Sequence, residues 1–186
     1  NLRARLPGRH PTFLVTSALP GEGKTITCLN LALVVSEDRD RRTVVLDANL
    51  RRPQVSRLLG CPLRPGLAEV LRGEASLASV VYPTAYPNLF AVPSGGARRV
   101  EIARLLSSPA LDAGVSELRR RFDYLLLDTA AVRSGPDTGI IGQAVAKALL
   151  VARMNKTRSQ AVARAIALLH SAGIEPAGLA LTRQRP

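Results

Sequence analysis

Aromatic residues make up only 3% of this chain, lysine occurs only at positions 24, 147 and 156, and there are two cysteines. The few aromatics, Phe13, Phe90, Phe122 and Tyr124 among them, sit within or beside apolar strand-like runs. They leave no row of exposed rings on which single-stranded nucleic acid could stack. Cys28 and Cys61 have neither metal-ligand spacing nor a second pair to join, which excludes a disulfide framework and a zinc site and points to a reducing cytoplasm. No apolar run approaches the roughly 20 residues needed to span a bilayer. The start "NLRARLPGRH" has no initiator methionine and no signal-peptide core. We expect a soluble piece of a longer protein, truncated at both ends.

The formal net charge of +12 is almost entirely arginine and is spread through every segment. Such a distribution reads as a compositional preference for arginine rather than a concentrated patch, and argues against nucleic acid as a partner. With 186 residues and 46% hydrophobic composition, residues 1–186 are expected to form a single domain around one large core.

The stretch through Pro11, which includes His10, reads as a loop. Beyond it, strand-like and helix-like runs alternate. "TFLVTSA", "RTVVLDAN", "NLFAVPSGG", "FDYLLLDTA", "ALLVARM" and "PAGLALT" are rich in residues that favour buried strands. Between them lie helical patterns: "KTITCLNLALVVSE", with Ile26, Leu29, Leu33 and Val34 on one face, short helices in "QVSRLLG" and "GLAEVLRG", stretches near 99–107 and 109–121, "TGIIGQAVAKA" and "SQAVARAIALLHSAG". His170 ends the last of these, where a helix dipole favours it, and has no catalytic role in this reading. Strands apolar on both faces, alternating with helices, predict a mostly parallel central sheet with helices on each side. In such sheets ligands bind beyond the carboxyl ends of the strands.

Chemistry concentrates at three strand ends. "TSALPGEGKT" joins the first strand to the first helix, where backbone N–H groups and the helix dipole surround phosphate oxygens. Pro20, Gly21, Glu22, Gly23, Lys24, Thr25 and Ile26 are the candidate nucleotide-binding residues. Lys24 would bridge the terminal phosphates and Thr25 would hold magnesium. Ala18 stands where the strict pattern begins with glycine, but Pro20 and Gly21 still supply a tight turn. An ordinary strand-to-helix turn containing Gly-Lys-Thr is the competing reading, and the flanking elements disfavour it. Asp128, after four apolar strand residues, is placed to reach the metal, and Asp47 ends "TVVL" as a second carboxylate, a metal ligand or a base. The catalytic candidates are therefore Lys24, Asp47 and Asp128, and the metal candidates Thr25, Asp47 and Asp128. Arg51 is a candidate for neutralising phosphate charge, with a solvated Arg51–Arg52 pair as the alternative.

These residues resemble the bacterial tyrosine kinases that govern capsule and exopolysaccharide export. "LVTSALPGEGKT" is similar to their Walker A loop, "VVLDANLRRP" to their second acidic motif, and "FDYLLLDTAAV" to their Walker B strand. "GLAEVLRG", "NLFAVPSG" and "LLSS" match connecting segments in order, and Asp137 falls where the family carries an aspartate. The resemblance runs from Asn1 to Thr182. It implies a three-layer P-loop NTPase fold of the deviant Walker type, ATP and Mg2+ as cofactors, and phosphoryl transfer to tyrosine. It further implies a transmembrane polysaccharide co-polymerase partner, on the same chain or separate, assembly into homo-oligomers, and a location at the cytoplasmic face of the bacterial inner membrane.

Departures from the family pattern keep other readings open. Asn49 replaces the second aspartate of the acidic motif, Ala130 and Ala131 replace a double proline, Arg104 replaces a glutamate, and no tyrosine follows Tyr124. An amide brings no charge and cannot accept a proton as a base. A catalytically degenerate nucleotide-binding scaffold of the same export machinery is therefore the alternative function. A partitioning or division-site ATPase is a further one, opposed by Leu19 at the place of the lysine those enzymes carry early in the loop. Tyr82 and Tyr86 lie in a proline-flanked connection and read as solvated loop tyrosines.

Overall fold

A computed structural model describes residues 11–183; the stretch before Pro11, with His10, lies outside the described residues. Among the described residues, seven strands and seven α-helices follow one another. They are β1 (Thr12–Ser17), α1 (Lys24–Ser36), β2 (Thr43–Asp47), α2 (Val55–Leu59), α3 (Leu67–Leu71), β3 (Tyr82–Pro83), β4 (Leu89–Val92), α4 (Ile102–Leu106), α5 (Pro109–Arg121), β5 (Tyr124–Asp128), α6 (Asp137–Val145), β6 (Lys147–Arg153), α7 (Ser159–Ser171) and β7 (Glu175–Thr182). The strands form one sheet in the order β3-β4-β2-β5-β1-β6-β7, parallel throughout except for the β3–β4 pair.

Alternation within the strands divides the core into two layers. Phe13, Val15, Val45 and Leu126 pack with Cys28, Leu29 and Ala32 of α1 and Val55 of α2. Leu14, Val44, Leu46, Leu125 and Leu127 face the other way, toward residues of α3 to α7 such as Leu67, Ile102, Leu118, Ile141 and Leu169. Because both faces are covered, β1, β2 and β5 read as continuous apolar runs, the pattern that announces a parallel sheet. The chain is thus an α/β fold with a mostly parallel sheet between helical layers.

Three expectations are corrected. The buried face of α1 is formed by Thr25, Cys28, Leu29, Ala32, Val35 and Ser36, whereas Ile26 and Val34 are 51% and 45% exposed. A helix that is apolar almost all round carries no strong phase in its pattern, and this one presents its smaller side chains to the sheet. The helical stretch placed near 99–107 begins only at Ile102. Tyr82 is not a free loop tyrosine: it lies in β3, pairs with Ala91 of β4, and its hydroxyl donates to the Pro65 carbonyl at 3.1 Å. A two-residue strand is too short to carry a period, and Pro83 fits only a sheet edge.

Candidate functional site

The register of the sheet builds the site. β2 and β5 are neighbours, and Asp47 pairs directly with Asp128, so the two carboxylates stand side by side at adjoining strand ends. β1, on the other side of β5, leads into the loop 18–23 and then α1. In that loop the left-handed backbone falls on Gly21 and Gly23, with φ of +79° and +88°. Ala18 is fully buried and has no positive φ; glycine is not required there, which is why the departure from the strict motif is tolerated.

Glu22 fastens the loop from below. It is 4% exposed, one carboxylate oxygen accepts from the Leu19 N–H at 2.8 Å, and the other accepts from the Thr157 hydroxyl. The Thr182 hydroxyl, at the end of β7, donates to the Glu22 carbonyl at 2.8 Å. Ser17 closes the turn by donating to the Leu19 carbonyl at 2.7 Å. These side-chain hydrogen bonds are spent on the shape of the loop, and residues 21–25 line the cleft beside it.

Asp128 accepts a hydrogen bond from the Thr25 hydroxyl through Oδ2 at 2.7 Å, while its Oδ1 is buried and has no hydrogen-bond partner. Burial pushes its carboxyl up to about 6, against the lowering effects of the Thr25 hydroxyl and of Lys24. Asp47 is differently placed. Its Oδ1 accepts from the Asn49 N–H at 3.2 Å and its Oδ2 from the N–H groups of Gln54 and Val55 at 3.1 and 3.0 Å. Burial, then repulsion from Asp128, outweighs these three bonds and pushes its carboxyl up to about 7. Two adjoining buried acids therefore hold a proton that each would give up in water. Cys28, beneath them on α1, has its thiol pushed up by burial and by the same two charges.

An orphaned buried acceptor beside a hydroxyl and a second carboxylate suits a hard cation. Among the described residues no group of three or more His, Cys, Asp or Glu side chains gathers to hold a metal. The donors present fit Mg2+ arriving with phosphate oxygens, as that ion commonly binds through one or two carboxylates plus substrate phosphates.

Two clefts meet at Lys24. The larger, about 680 Å3, is lined by Gly21, Glu22, Gly23, Lys24, Thr25 and Ile26, together with residues not singled out from the sequence, among them Asn30, Gln54 and Arg153. Arg153 ends β6, so the rule that ligands sit at carboxyl strand ends was the signal that could have found it. Pro20 and Arg51 line the second cleft instead, with Lys24 and Asn49. The Arg51 guanidinium is committed to Asp137, at 2.5 and 3.0 Å.

No family model matches the chain. It is 32% identical over 160 residues to tyrosine-protein kinase CpsD of Streptococcus pneumoniae, covering 86% of this chain and 70% of that protein. Over 173 residues it is 30% identical to tyrosine-protein kinase ptk of Acinetobacter johnsonii, covering 93% of this chain and 23% of that one. Succinoglycan biosynthesis transport protein ExoP of Rhizobium meliloti is 33% identical over 159 residues, 84% of this chain and 20% of the relative. The chain thus spans only a fifth to a quarter of such longer relatives. Among solved structures, the kinase domain of VpsO superposes with a TM-score of 0.88 at 30% identity, covering 95% of this chain and 86% of that one. The kinase domain of Escherichia coli tyrosine kinase ETK reaches 0.91 at 24%, covering 99% and 72%. The cell division ATPase MinD of Pyrococcus furiosus reaches 0.78 at 25%, covering 94% and 72%. The likeness to CpsD and to the VpsO kinase domain extends over most of this chain and most of theirs, and on that ground the chain belongs to the bacterial tyrosine kinase family.

Proposed function

We propose that the chain is an ATP-dependent protein-tyrosine autokinase domain that regulates polymerisation and export of an exopolysaccharide or capsule. It would work at the cytoplasmic face of the inner membrane, in a homo-oligomer and with a transmembrane co-polymerase, on the same polypeptide or separate. The observation that carries the reading is the pair Asp47 and Asp128 at adjoining strand ends, with Asp128 bonded through Oδ2 to Thr25 of the loop and its buried Oδ1 left without a partner.

In this reading Gly21 to Thr25 grip the phosphates through backbone N–H groups, and Lys24 holds the terminal phosphate oxygens at the junction of the two clefts. Thr25, Asp128 and Asp47 would hold the magnesium, which neutralises charge on the phosphate oxygens. The tyrosine oxygen takes the γ-phosphoryl group, ADP leaves, and Asp47, where it does not ligate the metal, would receive the phenolic proton. Asp128 fixes the Thr25 hydroxyl. Arg51 would turn from Asp137 toward phosphate only if an anion outcompeted that bidentate pair.

The deciding assay is transfer from radiolabelled ATP on the full-length protein, with Lys24→Ala and Asn49→Asp beside it. Label on tyrosine in the wild type and its loss in Lys24→Ala are expected; a wild type that binds MgATP and stays unlabelled would sink the kinase reading. Asn49 lies buried in the wall of the second cleft, where the family motif has an aspartate, and this favours the scaffold as the second reading. An unlabelled wild type with a labelled Asn49→Asp variant would establish it. The division-ATPase reading has only the fold likeness to MinD in its favour, and Leu19 brings no cation to the loop.

A further inference from the structure

We infer that the second cleft is a docking subsite for acidic, tyrosine-bearing peptide, with Arg52, Arg99 and Arg133 as its specificity-determining side chains. The inference rests on the kinase reading and names the class of acceptor that reading leaves open. Lys24 lines both clefts, so with a nucleotide in the larger one the second is the remaining approach to its last phosphate. This cleft measures about 360 Å3, and of its ten lining residues five are cationic and none is a carboxylate. Its size lies within the roughly 300–1,000 Å3 of ordinary ligand sites.

The cations are not equivalent. Lys24 belongs to the phosphate loop and Arg51 is neutralised by Asp137. Arg52, Arg99 and Arg133 are exposed, and no ion pair links any of them to a carboxylate of the described residues. They reach the cleft from three separate segments: the turn after β2, the loop before α4 and the turn after β5. A lone arginine pair on a surface is ordinary, but convergence of three unpaired guanidinium groups on one concavity focuses a positive potential there. Each offers the planar fork that matches a carboxylate or a phosphate.

The chemistry selects the occupant. No aromatic side chain lines the cleft, so it lacks the ring platforms on which nucleobases stack. A peptide with Glu or Asp beside its tyrosine would satisfy the three arginines while its phenol points at Lys24. Among the described residues, Tyr124 begins β5, at the opposite end from Asp128, while Tyr82 in β3 and the exposed Tyr86 in the connection to β4 lie at the far edge of the sheet. The acceptor therefore comes from another segment or another copy. Phosphorylation of one tyrosine adds roughly −1.5 to −2 charge, so a peptide already modified once should bind more tightly and favour a second modification nearby.

The test uses the full-length protein and labelled synthetic peptides in which one tyrosine is flanked by Glu, by Gln or by Lys, with an oligothymidylate as a further arm. Binding is read by fluorescence anisotropy at about 150 mM salt, and MgATP binding is read separately by calorimetry. The Glu peptide is expected to bind about tenfold more tightly than the Gln peptide, a preference of the size that two or three exposed ion pairs provide. The double variant Arg99→Gln/Arg133→Gln, both positions exposed, should lose most of that preference while MgATP still binds and the thermal melt stays unchanged. Equal affinity for the Glu and Gln peptides, a preference that survives the double variant, or oligothymidylate bound as tightly as the Glu peptide would each overturn the assignment. Because anisotropy needs no turnover, a retained Glu preference without any phosphorylation would support the docking site and count against the kinase reading alone.

Discussion

Replacing Asp128 by asparagine should make the nucleotide-free protein more stable while depriving it of phosphoryl transfer. The folded state keeps the Asp128 carboxyl at about 6 against an ordinary 3.8. At 1.36 kcal/mol per pH unit that is about 3 kcal/mol of destabilisation once the group is ionised. The same charge contributes to holding Asp47 at about 7, so its removal brings further relief. Against this, the amide nitrogen would stand where Oδ1 now has no partner, and an unsatisfied buried donor costs about 1 kcal/mol or more. The Thr25 hydroxyl can still donate to the amide oxygen. The net expectation is about 2 kcal/mol of added stability at pH 8, or roughly 4–8 °C in Tm for a domain of this size.

The pH dependence carries the diagnostic sign. Both pKa values are raised, so the folded protein retains protons that the unfolded chain has released. Wild-type stability is highest on this account near pH 4 and falls as pH rises through about 6 and 7, the loss being complete about one unit higher. The gap between Asp128→Asn and wild type should therefore be widest at pH 8 and vanish or reverse near pH 4. Urea unfolding followed by circular dichroism at the two pH values measures it. A variant less stable than wild type at pH 8, or a gap that does not change with pH, would refute the reasoning. With saturating MgATP the order should invert, since a ligand that binds only the folded wild type adds RT ln(1 + [L]/Kd).

Gly23→Ala should lower MgATP affinity at least tenfold by calorimetry, because φ is +88° and a Cβ there would meet the Thr182 methyl group at 3.4 Å. Glu22→Ala leaves the Leu19 N–H without its acceptor and frees the Thr157 hydroxyl; a loss of about 1–3 kcal/mol in urea unfolding is expected, together with weaker nucleotide binding. Phe122→Ala, 2% exposed and packed against Phe90 with ring centroids 5.3 Å apart and planes tilted by 58°, with Arg42 over both rings, should cost about 3–5 kcal/mol, leaving MgATP affinity of the folded fraction unchanged.

The sheet and the loop were legible because their signals are local. Four apolar residues before Asp128, three before Asp47, and glycines between a strand and a helix announce buried parallel strands and a tight strand-to-helix loop without any knowledge of neighbours. What was not legible depended on how the chain folds back on itself. Arg51 binds Asp137, 86 positions away, and nothing in "DANLRRP" reveals it. The three bonds that hold Asp47, from Asn49, Gln54 and Val55, depend on how the turn closes. The face of α1 was misjudged because large apolar side chains were assigned to the core. Close approach to β1, β2 and β5 instead selects Cys28 and Ala32.

The bond from the Thr182 hydroxyl to the Glu22 carbonyl spans 160 positions, and Thr157 joins the same loop across 135. Translation runs at about 5–20 residues per second, so a nascent chain waits roughly 8 to 32 seconds after Glu22 is made before its last fastening exists. Until β7 has left the ribosome the loop lacks this fastening, and on the kinase reading a nucleotide would bring little stabilisation to a half-made copy.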